Sequence, residues 1–427
     1  MDYYKSILQP QNGEESIKVA VRIRPLNGRE NRKRDPGRAA VPLDPWTVGV
    51  RAGEAAVAAS FRCGAGCYGE GVGQAEVFRG LGGPALVDAA LAGYRATCFA
   101  YGQTGAGKTY SMVGAAAGGA DGFEGGADWE EDSGVGLLPR AVHYLFQRVR
   151  ALQERHPASR YRVRVGCLEI YSEQVYDLLV AEKARWPLGV KEHPREGFYV
   201  EGARVLAAPD AQTALRAIAR ALTHRRIGSH LMNARSNRSH CLCTLYVDAF
   251  ADGGDGLGGE ALYGALSAVD LAGSERLKET GSVGQTMREA AAINTSLYTL
   301  GKVITAIVKG QGRVPFRDSK LTKLLQGSLG GSARTLMLAC VGPAKVTVPE
   351  TMRTLKFAMG VACIKNRPVA VTKADPQSQV IHELKEEVQR LRQENAQLRQ
   401  TLMTAPPALT RSFGGTGEFA GGGGGGA

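Results

Sequence analysis

Residues 99–112 read FAYGQTGAGKTYSM: the close of an apolar segment (Ala96 to Tyr101), a glycine-rich turn, and the opening of a helix. Gly102, Gly107, Lys108 and Thr109 fit the spacing G-x-x-x-x-G-K-[ST]. A loop without side-chain bulk lets backbone N–H groups converge on phosphate oxygens, and a helix N-terminus adds positive dipole. A lysine at this place reaches the outer phosphates, and the threonine hydroxyl can hold Mg²⁺. The stretch is a nucleotide site in outline. A plain strand-turn-helix corner can carry the same pattern, so the reading depends on what the rest of the chain supplies.

Two later segments supply it. MNARSNRSHCLCTLYVDAF (232–250) places Asn233, Ser236, Asn237, Arg238, Ser239 and His240 ahead of an alternating strand. GALSAVDLAGSERLKETG (264–281) is an apolar strand that ends in Asp270, Gly273 and Glu275. Asp270 can hold the water shell of Mg²⁺, and Gly273 can turn its backbone N–H to a terminal phosphate. Ligands of open α/β sheets collect at the carboxyl ends of strands, so three such ends converging on one crevice make a coherent site. Arg238 and Glu275 carry opposite charge and can pair across that crevice.

Composition bounds the partners. Lys and Arg number 53 against 41 Asp and Glu, a formal net charge of +12, which points to a polyanionic partner without choosing among nucleic acid, membrane and acidic protein. The eight cysteines are scattered through apolar runs with no C-x-x-C pair, the pattern of reduced, buried thiols in an intracellular protein. Neither a signal-peptide core nor an apolar run of spanning length is present, so a soluble protein without membrane insertion is expected.

Between these landmarks, IKVAVRIRPL (17–26) alternates apolar and basic residues and reads as a strand that Pro25 stops, with Arg22 and Arg24 able to form a solvated face. The stretch from Asn27 to Gly73, charged and then Gly/Ala-rich, gives no assignment. QAEVFRGLGGPALVDAALAGY (74–94) reads as helix leading into the strand before the loop, and 115–136, rich in Gly and acids, as a surface loop. LLPRAVHYLFQRVRAL (137–152) is helical, 161–179 is a strand with its turn, and 210–226 is a helix capped by Asp210.

Taken together these segments resemble the kinesin motor domain from about Ile17 to Pro368. The family's R-x-R-P stands as Arg22/Arg24/Pro25, its GQTGxGKT as Gly102 to Thr109, and its switch I N-x-x-S-S-R-S-H as Asn233 to His240. Switch II, DLAGSE, is Asp270 to Glu275, followed by the N-x-S-L helix at Asn294 to Leu297 and the P-x-R-D-S-K-L-T run at Pro315 to Thr322. The resemblance implies an α/β P-loop NTPase with a central mixed, mostly parallel β-sheet flanked by helices on both faces. It further implies ATP and Mg²⁺ as ligands: Arg24 and Pro25 flank the adenine, and Gly102, Gln103, Thr104, Gly105, Ala106, Gly107, Lys108, Thr109 and Tyr110 hold the nucleotide. Thr109 takes the metal directly and Asp270 through water. Ser236 and Arg238 of switch I, with Gly273 and Glu275 of switch II, form the catalytic set, an Arg238–Glu275 salt bridge closing over the γ-phosphate. No strong base is required, because phosphoryl transfer is driven by positioning and electrostatics.

The family's partner is the microtubule, whose acidic tubulin surface accounts for the positive balance. By resemblance, Asn294, Arg313, Arg317, Lys320 and Lys323 contact it, with Lys191 and Arg195 as weaker members of the same face; nucleic acid is not expected. The implied setting is the cytoplasm and its microtubule cytoskeleton. Three departures stand out: Asn237 replaces the second switch I serine, the F-x-F-D-x-V-F segment keeps only Phe61, Gln74, Val77 and Phe78, and 115–136 fills a loop that varies in the family.

The expected organisation is a leader (1–16), a motor domain (17–363), a neck linker (364–379), a coiled-coil segment (380–403) and a Gly-rich tail (404–427). A linker C-terminal to the motor implies plus-end-directed movement. From Ile381 the period becomes 3.5, with Ile381, Leu384, Val388, Leu391, Asn395, Leu398 and Leu402 at a and d positions. Residues 381–402 can therefore form a parallel homodimer in which Glu387 meets Arg392 and Glu394 meets Arg399. The function expected is a microtubule-stimulated ATPase motor. A microtubule-binding scaffold with weak turnover is the alternative that Asn237 suggests, and a myosin-like ATPase is disfavoured by the basic segments after switch II.

Overall fold

The computed structural model describes residues 13–31, 37–51, 56–115, 129, 134–194, 196–230, 238–250, 260–275, 285–374, 387–388, 390–395 and 397. The chain divides into two compact units, Met1–Asp252 with Glu260–Lys373, and Gly253–Gly259 with Ala374–Ala427.

The first unit is built on one sheet of strands β1 (Lys18–Ile23), β2 (Cys67–Tyr68), β3 (Arg95–Tyr101), β4 (Arg160–Tyr171), β5 (Leu206–Ala207), β6 (Ser239–Phe250), β7 (Glu260–Asp270) and β8 (Arg334–Val341), in the order β5-β4-β6-β7-β3-β8-β1-β2. From β2 to β7 neighbours run parallel; from β7 to β5 they run antiparallel. The sheet is mixed as expected, but its two longest ladders, β4–β6 and β6–β7, are antiparallel. The central strands β3 and β8 are buried on both faces, which is why ATCFAY and TLMLACV are nearly unbroken apolar runs.

Helices cover both faces. On one lie α1 (Gln74–Leu81), α2 (Gly83–Leu91), α3 (Lys108–Met112), α4 (Leu137–Arg155) and α5 (Ala211–His230), sharing a core with Cys98, Val165 and Leu245. On the other lie α6 (Gln285–Val308), α7 (Lys320–Leu324) and α8 (Val348–Ala362), packed on Val19, Phe99, Val269 and Met337. Asp210 caps α5 as expected, accepting from the Thr213 amide at 2.7 Å.

Three expectations change. The stretch read as a single helix over 74–94 is two helices, because Gly82 adopts a left-handed conformation (φ 93°) and ends α1 where α2 begins. The unassigned Gly/Ala-rich segment contains a three-stranded antiparallel sheet, Ala40–Asp44, Thr47–Arg51 and Val57–Arg62, of which little beyond Val48 and Val50 of its central strand is buried. Arg22 is buried rather than on a solvated face. Seven of the eight cysteines are buried free thiols, and Cys363 is exposed.

Beyond α8 the chain continues along the sheet. Lys365–Asn366 pairs with Glu15–Ser16, and Glu14 takes Arg367 at 2.7 Å and Lys365 at 3.3 Å. Further on, Val371 donates to Gly93 and accepts from Tyr263 of β7, both at 2.9 Å. Asn366 fixes the start of this path: its Oδ1 accepts from the Gly330 amide at 2.8 Å, and its Nδ2 lies within 3.1 Å of Ser328 O, Ala333 O and Thr335 Oγ1. In the second unit, Val388 and Leu391 are exposed on a helical stretch where Glu387 pairs with Arg390 at 2.7 Å in its own chain. The remainder of 381–402 falls outside the described residues.

Asn366 satisfies several buried groups at once, so its removal orphans them. Asn366→Ala should lower unfolding stability by about 2–3 kcal/mol, measured by denaturant titration.

Candidate functional site

The loop between β3 and α3 is shaped by its glycines. Gly102, Gly105 and Gly107 have φ of 149°, 75° and 97°, and a Cβ on Gly102 would run into the Cys340 carbonyl. Side chains are thus excluded where the backbone must turn and approach β8. α3 itself spans only five residues, so a helix dipole adds little to the loop. Lys108, 8% exposed, folds back into the loop and donates to the Gly102 and Gln103 carbonyls at 2.9 and 3.0 Å. Burial lowers its proton affinity, with Asp270 opposing that effect.

Asp270 ends β7 beside this loop. Its Oδ2 accepts from Thr109 Oγ1 at 2.7 Å and from Arg225 Nη1 at 2.8 Å, while its buried Oδ1 has no partner among the described residues. An orphaned, buried carboxylate oxygen next to a threonine hydroxyl is the donor set a hard divalent cation takes, so the residues present fit Mg²⁺. Arg225 was not singled out from the sequence. It lies on α5 in register with Ile218 and Leu222, a charge set in an otherwise apolar helical stripe, and that position is the signal that marks it. Burial works against its charge, but Asp270, Cys241 and Glu169 together outweigh burial and raise its proton affinity; it also holds Ser239 through that residue's carbonyl at 2.9 Å.

The segment after Asp270 folds against the loop. Ser274 N donates to the Gly102 carbonyl at 3.2 Å, and Glu275 takes the Thr104 amide at 2.8 Å and the Thr104 hydroxyl. The expected partner of Glu275 was Arg238; in this structure both carboxylate oxygens go to Thr104. A Cβ on Gly273 would strike Thr104 Oγ1 and the Glu275 carboxylate, so a side chain there would push the Thr104–Glu275 contact aside. Arg238 is partly buried at the entry to β6, whereas Ser236 and Asn237 lie outside the described residues.

Arg24 and Pro25 follow β1 to the same loop. Arg24 Nε donates to the Gly105 carbonyl at 2.8 Å, and its two terminal nitrogens reach Glu30 at 2.7 Å. Glu30, not anticipated from the sequence, is a buried acid that fixes the guanidinium in a bidentate pair. Gln103 and Gly105 thus contribute carbonyls, Thr104 its amide and hydroxyl, and Ala106 is buried beneath them. Tyr110 projects from α3, 45% exposed.

His240 connects the site to the opposite face. Its Nδ1 accepts from the Ala272 amide at 3.0 Å, so in the neutral ring Nε2 carries the hydrogen and donates to Ser296 Oγ of α6 at 2.7 Å. Burial, reinforced by Arg225, holds its pKa down to about 3. One neutral imidazole therefore joins the start of β6, the segment after β7 and helix α6.

The basic residues expected on the partner face gather beyond α6. Arg313 is exposed; Arg317 pairs with Glu192 at 2.6 Å and lies, like Lys323, 5.9 Å from the Phe198 ring. Lys320 begins α7, its amide held by Glu173 at 2.7 Å. Glu173 itself sits in a left-handed turn (φ 58°) that aims its carboxylate at the helix start. Lys191 pairs with Glu201 at 2.8 Å, and Arg195 lies outside the described residues. Asn294 is on the backbone of α6; farther along, the exposed Tyr298 and Lys302 pair at 4.8 Å, two residues the sequence reading had not picked out.

Comparison with known proteins identifies a family. The profile described as the kinesin motor domain matches residues 22–364. The mouse kinesin-like protein KIF12 is 38% identical over 409 residues, covering 93% of this chain and 60% of that protein. The Xenopus laevis chromosome-associated kinesin KIF4 is 39% identical over 325 residues, covering 74% of this chain and 25% of that protein. The chain thus spans from 60% down to a quarter of the length of these relatives. Among solved structures, a fast kinesin superposes with a TM-score of 0.73 at 35% identity, covering 84% of this chain and 95% of that one. A KIF14 dimer bound to AMP-PNP and a microtubule superposes at 0.72 with 30% identity, covering 87% and 100%.

His240 gives the site a pH signature. Between about pH 3 and the 6.5 of an ordinary histidine, the unfolded chain binds a proton that the folded chain refuses, so stability falls as pH is lowered through that window. Denaturant unfolding at pH 4.5 and 7 should show a smaller pH dependence in His240→Gln than in the wild type, by about 1 kcal/mol or more per unit of pH in mid-window.

Proposed function

The chain belongs to the kinesin motor family, and from that membership we propose that it is a microtubule-stimulated ATP hydrolase that moves along microtubules toward their plus ends. The observation that carries the reading is the grip of Thr104 on Glu275. A phosphate entering the cradle competes for the Thr104 amide, and displacing Glu275 frees a carboxylate to pair with Arg238 over the γ-phosphate. Nucleotide state is thereby exchanged for the position of the segment that leads into α6.

Within that scheme Lys108 exchanges the Gly102 and Gln103 carbonyls for the outer phosphates. The N–H of Gly273 would face the terminal phosphate, and Ser236 with Arg238 would orient the attacking water. Thr109 and, through water, Asp270 would hold Mg²⁺, which would supply charge neutralisation to the phosphates. Arg24, fixed by Glu30, and Pro25 flank the base. Hydrolysis then needs positioned dipoles more than a strong base.

His240 and Ser296 carry displacement of the switch to α6, and Arg313, Arg317, Lys320 and Lys323 meet the acidic tubulin surface next to it. At the other end of the sheet, the path fixed by Asn366 is the neck linker, and the heptads of 381–402 pair two such chains in parallel. Rim charges of this kind act mostly on encounter rate and salt dependence.

Steady-state ATPase should rise well above twofold on adding polymerised tubulin, with the gain shrinking as salt is raised; a rate indifferent to microtubules overturns the motor reading. Lys108→Ala should abolish ATP binding in equilibrium titration. Dimeric protein fixed to a surface should glide polarity-marked microtubules with their minus ends leading, and binding without gliding would favour a scaffold.

A further inference from the structure

Strand alternation puts Arg160, Arg162 and Arg164 of β4 on the same face as Leu168, and Tyr246, Asp248 and Phe250 of β6 on the same face as Leu242. Farther along, that face is covered by α6 and α8, which pack on Leu168 and Leu242. Neither apolar core reaches Tyr246 or Phe250. In register, Phe250 stands opposite Arg160, Asp248 opposite Arg162 and Tyr246 opposite Arg164.

The three pairs interlock. Arg160 and Arg162 lie 5.5 and 5.4 Å from the centre of the Phe250 ring, and Arg164 lies 5.8 Å from that of Tyr246. Between the rings Asp248, its side chain 2% exposed, accepts from Arg162 Nε and Nη2 at 2.8 Å and from Arg164 Nη2 at 2.9 Å. A strut that only closed the sheet would need one arginine for one acid. Here one carboxylate serves two guanidinium groups, the Arg162 side chain is 54% exposed, and the buried Nε of Arg164 has no partner among the described residues. Ring contact and the shared acid have already fixed these long side chains, so an anion meets donors that need no ordering.

Two features choose the anion. Alternate positions along β4 recur at about 7 Å, the step at which alternate side chains of an extended peptide also recur. The rings of Phe250 and Tyr246 already carry guanidinium groups, so a nucleic-acid base finds no free ring of this pair to stack on, whereas a carboxylate needs only N–H edges.

We propose that Arg160, Arg162 and Arg164 form a docking ladder for an acidic, extended segment of a partner protein, with its carboxylates at alternate positions. Phe250 pairs with Ala261, at the end of β7 away from Asp270, so the ladder and the phosphate loop lie at opposite ends of the same strands.

The full chain is titrated at one fixed ionic strength, by fluorescence anisotropy, with a labelled peptide of alternating Glu and Thr, with a peptide of the same composition arranged as one Glu block and one Thr block, and with single-stranded oligothymidylate. The alternating peptide should bind tightest. Arg160→Gln with Arg162→Gln, which leaves Asp248 its Arg164, should weaken it about fivefold to thirtyfold, the range two exposed ion pairs supply. Arg160→Lys with Arg162→Lys keeps the charge without the fork and should also weaken it; this pair carries the test if the glutamine pair does not fold. Arg216→Gln with Arg220→Gln, which removes the same charge from the exposed side of α5, should leave binding within about twofold. Equal binding of the two peptides, equal losses in the two glutamine pairs, a lysine pair that binds like the wild type, or no binding of either peptide overturns the proposal. Tighter binding of the oligonucleotide overturns it in favour of nucleic acid.

Discussion

A carboxylate at the buried end of a strand is the constraint around which this protein is arranged. Asp270 lies beside Ala100 of β3 and Cys241 of β6, where an ionised group without partners would be costly. Two elements far apart in sequence must therefore arrive together, α5 with Arg225 and α3 with Thr109. The parallel pairing of β3 with β7 sets the two strand ends side by side, so that the glycine loop leaving one faces the acid closing the other. Even then one oxygen has no partner among the described residues, and a site that is electrostatically incomplete is one that a cation completes.

The second property is that the site has two ways of being satisfied. Lys108 rests on carbonyls of its own loop, and Glu275 rests on Thr104; on the proposed reading phosphate oxygens would compete for the same donors. A ligand shifts such an equilibrium only by what it binds differently in the two arrangements, and under the proposed function the difference is concrete, because the donors that release Glu275 would be the donors that receive phosphate. His240 makes the shift felt at a distance. Its ring has one acceptor and one donor, spent on Ala272 and Ser296, so the segment after β7 cannot move without either carrying α6 or breaking a buried hydrogen bond.

Much of this was legible in the sequence, and the pattern of what was not is physical. The phosphate loop reads clearly because its chemistry fixes residue types at fixed local spacing: glycine where φ is positive, lysine and threonine at the turn. The buried strand β3 reads from the apolar continuity of Ala96 to Tyr101. Pairings across the fold did not, since no local demand distinguishes Thr104 from its neighbours as the partner of an acid 171 positions away. Arg238 was the plausible partner for Glu275 by charge alone, and the structure assigns that acid to an uncharged one. Arg22 alternates with apolar residues as an outward-facing arginine would, yet it is buried because Gln74 and Ser111 accept its hydrogens. The small sheet over 40–62 escaped because its strands bury too few side chains to leave a periodic signal.

The single exposed thiol among the described cysteines sits where α8 stops, one residue before Ile364 and three before Asn366 fastens the following chain. The other seven are enclosed, and burial pushes Cys98 up to about 12 and Cys340 up to about 11, which keeps them as unreactive thiols. Mild alkylation at neutral pH would therefore deliver a fluorophore or spin label to Cys363 in preference to those seven. The chain carries a native attachment point at the hinge between helix and strap, from which detachment of that strap could be timed without engineering a cysteine.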